Sequence, residues 1–301
     1  MWLNATSVIP LGTGKIRRGV STMREVSSVE VNGIELTYAV AGESGLPPVV
    51  LLHALAEDSS HWSMVVEALI PKCRVYALDL RGHGGSSQPG DYSFELMRSD
   101  VLELLHKLKL EEVTLIGHSL GAAVAYLVAE AEPGRVRQLV LEEPPPPLPA
   151  ILPRVVPSKP SVPLPFDWRA LDAITQQRNH PDPAWWGDLG LITARTLVIA
   201  GGADSHLPQD QIAALAGRIP DATLVTINAG HNVHTRRPDA FLAELLPFLA
   251  RIGTCQMRRV PSRLGCLNLK TPVQLLRPST HVEKSMSSPT RSGLLSGEGL
   301  R

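Results

Sequence analysis

The feature that most constrains this chain is a short apolar run, Val113–Gly117, that passes through Gly117-His118-Ser119-Leu120-Gly121 into an alanine-rich helical stretch, Gly121–Glu132. A strand that becomes a helix in so few residues requires a very tight turn. Such a turn leaves no room for side chains two positions either side of its apex, and glycine stands at both places. The turn lifts the Ser119 hydroxyl off the end of the sheet. It also aims the Leu120 N–H, at the start of a helix, where negative charge is stabilised.

The rest of the chain repeats the alternation. Residues 29–40 alternate apolar and polar around Asn32-Gly33, the signature of a β-hairpin closed by a type I′ turn. Apolar runs at 48–53, 74–79, 138–142, 196–200 and 223–227 read as buried parallel strands. Helical patterns fall at 59–69, 93–110, 209–218 and 238–252. A hairpin followed by alternating strands and helices predicts an α/β fold, with a mostly parallel sheet and helices on both faces. One segment interrupts it. Residues 144–189 are rich in proline and tryptophan, lie between two strands, and read as a short insertion after the sixth strand. Helical pieces are expected there at 168–178 and 183–189.

Three regions follow from this: an N-terminal extension at 1–22, a folded domain at 23–252 and a tail at 253–301. The extension carries no acidic residue before Glu25, a weak likeness to a transit peptide; an unstructured lead with Met23 as a possible start is the plainer reading. The tail is basic and rich in Ser, Pro and Thr, a composition that does not support a packed core. The formal net charge of zero gives no reason to expect nucleic acid as a partner. No apolar run reaches the ~20 residues needed to span a bilayer. The three cysteines, Cys73, Cys255 and Cys266, match neither a zinc site nor a disulfide framework, and Cys73 reads as a buried core thiol. A cytoplasmic protein is the simplest expectation. Asp79, His83 and Asp91 lack a recognised ligand spacing, so no metal is expected. No Gly-x-Gly-x-x-Gly follows the first strand, so no dinucleotide cofactor is expected either. Oligomeric state is open.

From about Val29 to Ile252 the chain resembles the α/β-hydrolase superfamily, on several separated motifs in the expected order. Residues 117–121 resemble its Gly-x-Ser-x-Gly nucleophile elbow. Leu52-His53-Ala54-Leu55 resembles its oxyanion loop, which implies Leu55 N–H as a second donor beside that of Leu120. Asp79-Leu-Arg-Gly-His-Gly84 resembles its Asp-x-x-Gly-x-Gly signature, read here as loop-shaping. Gly230-His231 stands where the family places its histidine. One departure is Ala54, where glycine is usual. Alanine tolerates unusual φ/ψ less well, so the oxyanion loop is open to a different setting.

The resemblance implies a serine hydrolase with Ser119 as nucleophile and His231 as base. His53, His61, His83, His118, His206 and His234 are competitors for the base. Asp204, beyond the 196–200 strand, is the expected acid. Glu142 and Glu143, after the preceding strand, are the alternative. Clustered aromatics in the insertion (Phe166, Trp168, Trp185 and Trp186) either line an acyl pocket or fasten the insertion to the body. The expected substrate is a small ester, thioester, lactone or similar acyl compound. Perhydrolysis or C–C hydrolysis on the same triad, or a non-catalytic binding protein of this fold, are the alternatives. Serine at 119 argues against dehalogenase or epoxide hydrolase chemistry, which uses a carboxylate nucleophile.

Overall fold

Asn32 and Gly33 take φ of 47° and 76°, as a type I′ turn demands. They join strands β1 (Glu25–Val31) and β2 (Ile34–Ala41) in the computed structural model, which describes residues 25–149 and 152–250. The expectations for 1–22 and 253–301, and for Cys255 and Cys266, lie outside the described residues.

The six apolar runs form β3 (Pro48–Leu52), β4 (Arg74–Leu78), β5 (Val113–His118), β6 (Val136–Glu142), β7 (Arg195–Ala200) and β8 (Ala222–Thr226). The sheet has eight strands in the order β1-β2-β4-β3-β5-β6-β7-β8. β1 and β2 are antiparallel, β2 meets β4 antiparallel, and the rest are parallel.

Each central strand divides its side chains between two cores with a period of two. Val50 and Leu52, Leu115, Leu139 and Leu141, and Val198 and Ala200 join one cluster. Val49 and Leu51, Ile116, Val140, and Leu197 and Ile199 join the other. Helices α2 (Phe94–Lys107) and α3 (Leu120–Ala131) fill the first face. Helix α1 (Ser63–Leu69) covers the second. Helix α3 lies against β3, β5 and β6 and is covered by α2. That position explains why Leu120 to Ala129 are all buried, with no polar face. The insertion between β6 and β7 contains α4 (Trp168–Asn179) and α5 (Pro183–Asp188), each N-capped by an aspartate, Asp167 and Asp182. Three further helices follow among the described residues: α6 (Gln209–Arg218), the short α7 (Val233–Arg236) and α8 (Pro238–Ala250). Among the described residues no helix is long and apolar enough to cross a membrane.

The Asp79–Gly84 loop is held from within. The Asp79 carboxylate accepts the backbone N–H groups of Ser59 at 2.7 Å and Gly85 at 2.9 Å. Gly84 has φ of 52°, and a Cβ there would lie 2.3 Å from the Asp79 carboxylate. Arg81 donates to both carboxylate oxygens of Asp100, at 2.5 and 2.8 Å, and both side chains are buried. Removing one partner of such a pair strands a buried charge. Asp100→Ala is therefore expected to cost about 3–5 kcal/mol, read as a fall in the denaturant midpoint; a loss below about 1 kcal/mol would show the pair to be solvated. Cys73 differs from expectation. It is half-buried at the margin of its cluster, and desolvation raises its thiol pKa.

Candidate active site

Ser119 lies at the C-terminal end of β5 with φ 51° and ψ −110°, a conformation that a non-glycine residue adopts only when its surroundings force it. The forcing is visible at the two glycines. A Cβ on Gly117 would stand 2.3 Å from the Gly121 carbonyl oxygen, and one on Gly121 would stand 2.2 Å from the Leu52 carbonyl oxygen. Both obstacles are backbone, which cannot give way. Ser119 N–H donates to the Glu142 carbonyl at 2.9 Å, and Gly121 N–H to that of His53 at 3.1 Å, so the turn is tied to β6 and β3.

The oxyanion loop follows β3. The positive φ of this loop falls at Ala56, at 68°, and Ala54 is not in the left-handed region. Alanine at 54 therefore carries no conformational penalty, and the concern raised by the missing glycine is removed. Among the described residues, neither Leu55 N–H nor Leu120 N–H donates to a protein acceptor. Leu120 opens α3, where amides lack helical partners.

His231 follows Gly230, φ 72°, on the loop between β8 and α7. Its Nδ1 lies 3.1 Å from Glu143 Oε2. A carboxylate can only accept, so Nδ1 carries the proton and Nε2 is left with its lone pair. The expected acid, Asp204, does not fill this position. Asp204 is exposed, and among the described residues its side chain has no hydrogen-bond or ion-pair partner. The reason is local. The loop after β7, which was expected to supply the acid, supplies donors to Glu143 instead: Gly201 N–H at 2.5 Å, the Ser205 hydroxyl, and Gln209 Nε2 at 3.1 Å. Glu143 is fully buried and takes φ of 48° immediately after β6. Burial alone would raise its pKa; the His231 ring and these donors outweigh burial and lower it.

The neighbouring Glu142 has a different partner. Its carboxylate accepts His234 Nδ1 at 2.7 Å and His234 N–H at 2.9 Å, and His234 stacks on Trp62 with ring centroids 4.3 Å apart. His118 joins this buried group. Its Nε2 lies 2.9 Å from the His231 carbonyl oxygen, and its Nδ1 lies 3.6 Å from Glu57 Oε2. Burial opposes the charge on His118, but Glu142 and Glu57 together push its pKa up to about 9. His118 is thus an imidazolium at neutral pH, and its Nε2–H holds the backbone of the residue expected to act as base. The ligating atoms of His118, Glu142 and His234 lie within 4.8 Å of one another, the spacing of a candidate metal cluster. The 2.7 Å Nδ1–carboxylate contact inside it is a hydrogen bond between His234 and Glu142, while His118 Nε2 is directed to the His231 carbonyl oxygen.

For His231, desolvation lowers the pKa, the Glu143 hydrogen bond opposes this, and the His118 charge adds to the lowering. The net shift is downward.

The aromatics of the insertion part company. Trp185 is buried edge-on against Phe94, 5.4 Å between centroids, and lines a pocket. Trp168 stacks on Phe166, which itself stacks on His83. Trp186 faces the body, with the Arg218 guanidinium over its ring. Sequence reasoning missed Ser205 and Gln209. Their signal was faint: both are polar residues in the loop and helix start that follow a strand end.

Residues 47–163 match the alpha/beta hydrolase fold family. A stretch of 110 residues is 38% identical to the sn-1-specific diacylglycerol lipase ABHD11 of Xenopus laevis, covering 36% of this chain and 35% of that protein. Another, of 116 residues, is 32% identical to epoxide hydrolase 4 of Mus musculus, covering 38% and 32%. The chain thus spans about a third of the length of these curated relatives. Similarity to a solved structure extends further. The enol-lactonase from Burkholderia xenovorans LB400 matches with a TM-score of 0.64 and 26% identity, over 74% of this chain and 100% of that one. With the eight-stranded sheet and the glycine-flanked serine at its carboxyl edge, these matches place the chain in the α/β-hydrolase superfamily.

Proposed function

We propose that this protein is a serine hydrolase of small acyl compounds, with Ser119 as nucleophile, His231 as general base and Glu143 as the acid that orients it. The observation that carries the reading is the Glu143–His231 pair, whose imidazole lies 4.9 Å, centroid to centroid, from the ring of His118, the residue that precedes a serine held in a strained turn. In the reaction, Ser119 Oγ attacks the acyl carbonyl and His231 Nε2 accepts its proton. The Leu120 and Leu55 amides stabilise the oxyanion. His231 returns the proton to the leaving group, and water, activated by the same base, releases the acyl group. Glu143 remains ionised and keeps Nδ1 protonated throughout.

Serine at 119 supports acyl rather than epoxide chemistry, although one of the relatives is named an epoxide hydrolase. Those named a lipase and a lactonase act, by their names, on ester bonds, which agrees with this reading.

The test is labelling by a fluorophosphonate probe, with turnover of p-nitrophenyl hexanoate measured over pH. The base must be neutral to work, so kcat/KM rises with pH as His231 loses its proton. Its lowered pKa puts that rise below the ordinary imidazole value of about 6.5. Activity is expected to be level by pH 7. A midpoint above 7, or a folded protein that neither labels nor turns over, would defeat the proposal.

A further inference from the structure

Glu57 takes no part in the chemistry described above, yet its carboxylate is largely buried in the loop between β3 and α1, two residues from the Leu55 amide. The side chain folds back on its own loop. Its Oε2 accepts Ala54 N–H at 3.3 Å, while Glu57 N–H donates to the Ala54 carbonyl at 3.2 Å. The His53 ring supplies a second donor to that carbonyl. Leu80 N–H donates to His53 Nε2 at 3.0 Å, so Nδ1 carries the proton and donates to the Ala54 oxygen at 2.7 Å. The peptide between Ala54 and Leu55 is planar and trans, with its C=O and N–H directed oppositely. Whatever holds the Ala54 carbonyl therefore also sets the direction of Leu55 N–H. The loop needs such holding, because Ala56 takes φ of 68°, which a non-glycine residue keeps only under constraint.

The same Glu57 oxygen faces His118 Nδ1 at 3.6 Å. That separation is too long for a hydrogen bond and short enough for a pair of charges. His118 Nδ1 is buried and has no hydrogen-bond partner among the described residues, so the Glu57 charge is what it meets. The other nitrogen, Nε2, donates to the His231 carbonyl at 2.9 Å. His118 thus stands between the oxyanion loop and the base, and Ser119 follows it in the chain. Among the described residues, the titratable groups facing it are Glu57 from the loop after β3, Glu142 from β6, His231 from the loop after β8 and His234 from α7. The exposed His61 pairs with the other Glu57 oxygen at 3.2 Å. The two carboxylates outweigh burial, which is why the His118 pKa stands at about 9.

We propose that His118 and Glu57 are positioning residues that act as one pair: Glu57 fixes the oxyanion loop, His118 fixes the backbone of His231, and the attraction between them holds both parts of the site in register. The proposal rests on the hydrolase reading for what is positioned, but not for the pair itself. Its consequence is a second limit on activity, at alkaline pH. Below the His118 pKa both ring nitrogens carry protons, and Nδ1–H draws the Glu57 carboxylate towards the position where it accepts Ala54 N–H. Above it, Nε2 keeps its proton for the His231 carbonyl, and Nδ1 turns a lone pair on the carboxylate. The pair is then lost, Ala54 N–H loses its acceptor, and Leu55 N–H is no longer held in place. The sense is opposite to that of His231, whose loss of a proton at lower pH switches activity on.

Turnover of p-nitrophenyl hexanoate over pH, corrected for uncatalysed hydrolysis, reads the effect. In the parent, kcat is expected to fall as pH rises through about 9, with KM little changed and the fold intact by circular dichroism. Glu57→Gln keeps the size of the side chain and can still accept Ala54 N–H through its amide oxygen. It should lower kcat about 10-fold, less than the ~10²–10³-fold of losing an oxyanion donor outright. It should also move the alkaline fall to lower pH, because one of the charges that raise the His118 pKa is gone. His118→Gln has nothing to titrate, so its alkaline fall should vanish. Its acid limb should move to higher pH, because a charge that lowers the His231 pKa has been removed. A role in stability alone would lower the melting temperature of both variants and leave both limbs in place, and that result overturns the proposal. So does an alkaline fall that persists in folded His118→Gln. NMR titration of histidine-labelled protein needs no turnover, and His118→Gln identifies the resonances. A His118 that titrates at the ordinary imidazole value of about 6.5, or equally in the parent and in Glu57→Gln, overturns the pair and leaves the hydrolase intact. A high His118 pKa that falls in Glu57→Gln, in a protein that hydrolyses no ester, upholds the pair and defeats the hydrolase.

Discussion

Ser119→Ala is expected to abolish fluorophosphonate labelling and to lower ester turnover by ~10³–10⁶-fold, the range for loss of a nucleophile that works in concert with a base. The expectation depends on what the substitution leaves in place. Alanine keeps the Cβ and tolerates φ of 51° about as badly as serine does, so the strained turn is unrelieved and its ties to Glu142 and His53 persist. The Glu143–His231 pair does not involve the serine side chain. Thermal stability should therefore stay close to that of the parent, which separates lost chemistry from lost fold. The oxyanion donors also remain, so the variant should retain a small rate above that of water. A variant that still labels and turns over at parental rate would show that another group attacks.

Much of this site was legible in the sequence because its demands are local. A strand that becomes a helix within a few residues can be built only with glycine at 117 and 121, so the serine between them stands out without reference to the rest of the molecule. The hairpin was equally plain, since Asn32-Gly33 suits two successive positive φ values. The acid was different. Nothing near Asp204 in the sequence separates it from a true partner of His231, because the choice depends on which loop reaches across the edge of the sheet. The exposed Asp204 and the fully buried Glu143 differ by tertiary placement, not by composition. Alternation along β6 did hold part of the answer. Val140 and Glu142 share a parity and face the core under α1, where Glu142 meets His234, which stacks on Trp62. Leu141 has the other parity, and Glu143, beyond the strand end, meets the loop after β7 and His231.

Glu143→Gln and Asp204→Asn should therefore behave very differently, although one is an alternative that the sequence offered and the other its first choice. Glutamine keeps the size of Glu143 and can still accept from Gly201 N–H, so the buried loop should hold together. It removes the charge that balances the imidazolium formed when His231 takes the Ser119 proton, and its amide can present N–H to Nδ1 and favour the wrong tautomer. Turnover is expected to fall about 10³–10⁴-fold. The His231 pKa should fall further, since a group that raises it has been removed, and the rising limb of the pH profile should move to lower pH. Asp204→Asn alters an exposed side chain without a partner, where substitutions stay within about 0.5 kcal/mol. Its turnover should remain within about twofold of the parent, which is that energy expressed as a rate. A large loss in Asp204→Asn with little change in Glu143→Gln would return the acid to the loop after β7. It would mean that His231 turns away from Glu143 when substrate is bound.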